Sequence, residues 1–251
     1  MAVYRRDPLA GRPLKGVPAL PPTRRPPPSR SPARPARPAV HGPGVLPLVL
    51  WPAVLTLAVT LLRLVGELRG WSPQYFSRLP GGGLSPLGIT WLAPLVGFYF
   101  GWRLARGGVR SPSPALALGI PFAALLAGPL LAVIAGRLLK TSWSSNLALW
   151  AVVSVLVAAA AFAAWPALGR LLLAYAYAAR VPVAIVAAVA VWRSWGTHYD
   201  VPPPGFPAMP QLRRWLWTGL LPQATMWVAW TMATGAILGA LGHRAASLRR
   251  R

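Results

Sequence analysis

Residues 171–192 read LLLAYAYAARVPVAIVAAVAVW. Arg180 is the one charge in the run, and the apolar residues do not alternate with polar ones as in a half-buried strand. A helix rises ~1.5 Å per residue, so the run is long enough to cross the ~30 Å hydrocarbon core of a bilayer. Inside that core the backbone has no water to bond, and only helices or closed barrels satisfy it. A run this long and this continuous is a membrane-spanning helix.

Five similar segments surround it. Val45–Leu62, Leu87–Trp102, Ala115–Ala135 and Leu147–Leu168 lie upstream, and Trp215–Leu241 lies downstream. The expected fold is therefore all-α, a polytopic bundle of about six transmembrane helices over residues 45–241. The segment Leu87–Trp102 is short and contains Pro94, so it either spans or re-enters. Only Gly169-Arg170 separates the fourth and fifth segments. They are two helices with a tight turn there, or one long helix bent near Pro166.

Composition agrees. The chain has 251 residues, 55% of them hydrophobic, with 26 Lys+Arg against 3 Asp+Glu and a net charge of +23. Its mean hydropathy is +0.49. Such a charge on a soluble protein suggests nucleic acid, but that hydropathy does not. The charge collects in tails and connections instead. Residues 1–44 hold 12 of the 30 prolines, nine Lys/Arg and one Asp. Proline and like-charge repulsion disfavour folding, so this segment is expected to be a disordered cytoplasmic tail. It lacks aromatic interleaving, which argues against nucleic acid. Its expected contact is with anionic lipid headgroups. Residues 242–251 form a second basic tail.

With six spans, one side carries 17 Lys/Arg and the other 8. The positive-inside rule then places both termini in the cytoplasm. Arg outnumbers Lys 24 to 2, so part of the basicity follows genomic base composition.

Several chemistries are absent. No cysteine means no disulfide, no cysteine zinc site and no thiol catalysis. The acidic residues are Asp7, Glu67 and Asp200, too few for a carboxylate cage around a hard cation. Pro80-Gly81-Gly82-Gly83 lacks the Gly-Lys-Ser/Thr of a phosphate loop. No cofactor and no metal are expected.

Three features remain. Arg180 lies deep in its helix, where a central arginine costs ~2.5–3.5 kcal/mol and must face protein or water. Tyr177 sits three residues earlier, on the same face by helical spacing, and Glu67 is an available counter-charge. These three form a candidate intramembrane polar site. Second, Thr197, His198, Tyr199 and Asp200 open the proline-rich connection 193–214, where His198 and Asp200 put an imidazole and a carboxylate two residues apart. The leading expectation there is a rigid periplasmic cap held by Tyr199 and Asp200 hydrogen bonds, ahead of metal binding or acid–base chemistry. Third, Gly97 with Gly101 and Gly235 with Gly239 make two GxxxG motifs, suited to close helix packing. Downstream, Gln223, Trp227, Trp230 and Thr234 share one helical face.

The stretches Trp91–Gly101 (WLAPLVGFYFG) and Trp195–Asp200 (WGTHYD) resemble segments of uncharacterised bacterial multi-pass membrane proteins. The resemblance covers about Val45 to Leu241. It implies an inner-membrane location and no particular activity.

The leading expectation is a non-enzymatic structural, accessory or interaction component, in a homo-oligomer or with another membrane protein. One alternative is a small transporter or permease subunit whose Arg180 contacts an anion. Another is a membrane-embedded enzyme using His198 and Asp200.

Overall fold

In the computed structural model, residues 44–80 and 88–249 are described. The expected disordered tail, apart from Gly44, lies outside them, as do residues 81–87 and the last two arginines. The described residues form helices α1 (Val45–Leu68), α2 (Leu92–Arg106), α3 (Ala115–Leu138), α4 (Trp143–Ala164), α5 (Pro166–Arg193) and α6 (Gln211–Leu248). No strand occurs among them. All except α2 are long and apolar enough to cross a membrane.

The outer surface explains why this is a membrane fold. Only 22% of the most apolar window of α1, and the same share for α3, is buried by protein. Leu50, Val54, Leu57, Leu61, Phe122, Leu126, Leu130 and Ile134 point outward. In water these side chains would have to be covered; in lipid they are at home.

The helices alternate in direction between two ends of the bundle. At one end Trp165 meets His243, with ring centroids 5.1 Å apart. At the other, Trp143 meets Trp217 at 5.9 Å and Trp192 meets Trp215 at 6.0 Å. α4 and α6 therefore run parallel, and α5 runs back between those ends. α1 starts near the Trp165 end, where Leu48 shares a core with Leu104 and Leu168. It finishes beside His198, which Glu67 contacts.

The reversal between α4 and α5 is not at Gly169-Arg170. It occurs at Trp165, whose φ of −153° and ψ of 88° break the helix. Pro166 is the cause: it lacks an N–H and pushes the preceding residue out of helical geometry, yet suits the first turn of a new helix. The two segments are thus separate antiparallel helices. Gly169 and Arg170 lie inside α5, and Gly169 lets Phe162 of α4 pack closely against its bare Cα.

α2 is shorter than the other helices, with 15 residues after a 3-10 turn at Ile89–Trp91. It runs parallel to α6, an arrangement fixed by glycine. A side chain at Gly97 would collide with the Gly235 backbone, and one at Gly101 with Gly239. The two GxxxG motifs therefore face each other. Hydrocarbon gives no hydrophobic drive for helix association, so such close backbone contact carries the pairing.

α6 extends beyond its expected limits at both ends. It begins at Gln211, passes a π-helical turn at Trp215–Leu220, breaks at Thr225 (φ −124°, ψ −70°), and resumes at Met226–Leu248. Most of the expected basic tail 242–251 is therefore helix. His243 Nε2 there donates a 2.8 Å hydrogen bond to the Val109 carbonyl. No glycine or proline interrupts 243–248, so nothing ends the helix earlier.

Candidate anion site

The site lies at the His198 end, among α1, α5, α6 and the 194–210 connection. Its foundation is Glu67, in the last turn of α1. Glu67 is fully buried, and three donors meet its carboxylate. Arg63 Nε, one turn earlier, donates to Oε1 at 2.9 Å. The backbone N–H of His198 donates to Oε2 at 2.9 Å. His198 Nδ1 lies 2.5 Å from Oε1. With Nδ1–H bonded to a carboxylate, the neutral imidazole carries its lone pair on Nε2, and the ring lines a cavity. Burial holds the His198 pKa below its ordinary value, although Glu67 pulls the other way.

The Asp200 hydrogen bonds are those of a rigid cap and not of an acid–base pair with His198. Its carboxylate accepts from Thr197 N at 2.7 Å, Thr197 Oγ1 at 2.7 Å and Gly196 N at 2.9 Å. It ties the turn together and does not pair with His198 through a hydrogen bond. Tyr199 is buried, donates to the Thr60 carbonyl at 3.3 Å, and has its pKa pushed up by burial. Thr197 is fully buried. The four loop residues therefore dock the connection on α1. Further along, Phe206 packs edge-on against Trp143 at 4.4 Å, which secures the proline strap.

Arg180 projects into the same cavity, of about 360 Å³. It is 4% exposed. Its guanidinium lies 5.2 Å from the Trp227 ring centre. Arg63, His198, Tyr199 and Gln223 also line the space. Arg180 Nε and Gln223 Oε1 are buried without a hydrogen-bond partner among the described residues. Glu67 and Asp200 are engaged elsewhere, so among the described residues no carboxylate offsets Arg180.

Two members of the expected intramembrane site thus stand apart from Arg180. Glu67 is committed to Arg63 and His198. Tyr177 is 45% exposed and faces outward. The buried stripe of α5 follows Leu172, Ala176, Ala179, Val183, Ala187 and Ala190, and Arg180 sits at its edge. Three residues back from an edge position falls beyond the stripe. Tyr175 is the inward tyrosine, bonded to Thr56 Oγ1 at 2.8 Å.

Arg63 lies one residue beyond the expected first segment, Val45–Leu62, yet belongs to α1, and no local pattern joins Glu67 to His198. The spacing of Arg63 and Glu67, i and i+4 on one helix, was the available signal. Of the aromatic face on α6, Gln223 and Trp227 line the cavity, while Trp230 turns its indole N–H to the Thr90 carbonyl at 3.0 Å.

Compared with protein families, curated proteins and solved structures, the chain matches none.

Proposed function

We propose that this polytopic membrane protein binds an anion in the cavity at Arg180, as a small carrier or permease subunit of a bacterial inner membrane. The observation that carries this reading is one side chain. Arg180 is buried, faces a cavity, and has no acidic partner among the described residues. A buried charge left uncompensated costs several kcal/mol, and an anion entering the cavity supplies the missing partner. Gln223 offers a second unmet polar atom nearby. The charge asymmetry of the sequence supports an orientation with both termini in the cytoplasm and the cavity end outside.

The test uses purified protein in nanodiscs, titrated with inorganic phosphate, sulfate and methyl phosphate. Ligand that binds only the folded state raises the melting temperature with concentration. The expected result is such a rise in the wild type and its loss in Arg180→Gln, with that variant reaching the membrane at normal abundance. A wild type indifferent to all three anions overturns the proposal. A variant missing from the membrane makes Arg180 structural and also overturns it.

A second reading rests on a separate observation. The Glu67–His198 pair presents an imidazole whose Nε2 is suited to accept a proton, which is the arrangement of a general base. On this reading the chain is a membrane-embedded enzyme with Glu67, rather than Asp200, behind the histidine. His198→Gln abolishes turnover under the second reading, whereas under the first the wild-type protein has no turnover to lose.

A further inference from the structure

The Arg180 cavity has a neighbour. A second cavity of about 190 Å³ lies where α3, α4 and α6 meet. Leu125 and Pro129 of α3 and Val153 and Val157 of α4 form its walls. Met226 and Trp227 line both cavities. The Trp227 indole is therefore a partition. One environment it borders holds the Arg180 guanidinium, 5.2 Å from its ring centre. The other is almost wholly hydrocarbon side chain. The break at Thr225 falls just before this partition.

The second cavity also borders the lipid-facing surface, because Pro129 is exposed and Trp230 is 36% exposed. It is thus open to the hydrocarbon of the bilayer, whereas the first holds the cation. A cationic chamber and an apolar chamber that share a two-residue wall match a molecule with a charged head and an apolar tail.

We infer that the ligand is an amphiphilic anion: its phosphate or carboxylate sits at Arg180, and its alkyl chain passes Trp227 into the cavity between α3 and α4. This inference rests on the anion reading above and names the ligand class for it. The alkyl chain gives a physical reason for placing the anion site inside a membrane bundle, since the ligand can enter sideways from the bilayer.

The experiment compares methyl phosphate with hexyl phosphate, a chain short enough to stay monomeric, on wild-type protein in nanodiscs. Two variants accompany it, Arg180→Gln and Leu125→Trp, the second filling the apolar cavity from α3. The expected result is at least tenfold tighter binding of hexyl phosphate by the wild type. Leu125→Trp should lose that advantage and still bind methyl phosphate, which also shows that it is folded. Arg180→Gln should bind neither. Equal wild-type affinity for the two phosphates overturns the amphiphile while leaving the anion site standing. Hexyl phosphate binding that survives Arg180→Gln is chain partitioning and overturns it as well. A chain-length advantage unchanged by Leu125→Trp places the tail elsewhere and does the same. If Leu125→Trp does not fold, Ser154→Leu, which narrows the same cavity from α4, takes its place under the same criteria. A wild type that binds neither phosphate removes the anion reading itself.

Discussion

Glu67 holds the cavity end of the bundle together. Its carboxylate accepts from Arg63 and His198, and its backbone carbonyl accepts from Arg78 at 3.0 Å. The end of α1, the turn at Arg78 and the distant 194–210 connection meet at this one residue. His198 makes the junction sensitive to pH. Its folded pKa lies below its ordinary value because burial disfavours the imidazolium. The unfolded chain therefore takes up the proton first. The stability from neutral His198 is fully present above ~6.5 and is lost as pH falls through the lower folded value. Arg63 beside the ring adds to the penalty on a second positive charge. Protection factors at the Thr197–Asp200 amides, exchange rates corrected for their intrinsic pH dependence, should be high at pH 7.5 and fall by pH 5. The His198→Gln variant should show a flat profile over that window; an equally steep one would locate the titrating group elsewhere.

At the scale of elements, glycine decides how α2 meets α6. Gly101→Ala must push the helices apart, because its new methyl group lands on the Gly239 backbone. Overpacking of this kind costs ~1–3 kcal/mol. Gly119→Ala makes a control, since a Cβ there meets nothing within 4 Å. Thermal unfolding in detergent should show a clear drop for Gly101→Ala and no loss for Gly119→Ala, where alanine improves helix propensity. A Gly101→Ala protein as stable as wild type would show that the two helices do not pack this closely. Both GxxxG motifs were legible in the sequence, and so was the existence of every helix. Their pairing with each other was not, since a motif states what a face tolerates and not which face it meets. Helix limits were less legible. The turn at Trp165 was hidden because Gly169-Arg170 looks like a connection, whereas Pro166 forces the residue before it out of the helix. The tail 242–251 looked like a loop from its charge, although its alanines continue α6.

At the scale of the whole molecule, the charge asymmetry predicts an orientation that can be measured. The chain contains no cysteine, so a single introduced thiol reports cleanly. Ala208 is exposed in the proline strap, at the cavity end. Ala208→Cys should react with a membrane-impermeant maleimide from the periplasmic side of intact spheroplasts. Labelling only after lysis would invert the topology and move the cavity to the cytoplasmic face.

The sequence alone determined that this is a helical membrane protein, because continuous apolar runs of spanning length have one low-energy solution in lipid. It also isolated Arg180, because one charge in such a run is conspicuous without any structure. Tertiary structure decided the partners. Glu67 and His198 are 131 positions apart, and no local pattern links them. Once they are joined, Asp200 is left to stabilise its own turn and Arg180 is left facing the cavity without a counter-charge. Helix formation depends on residues a few places apart, but the completion of a polar site depends on which helices come to lie side by side.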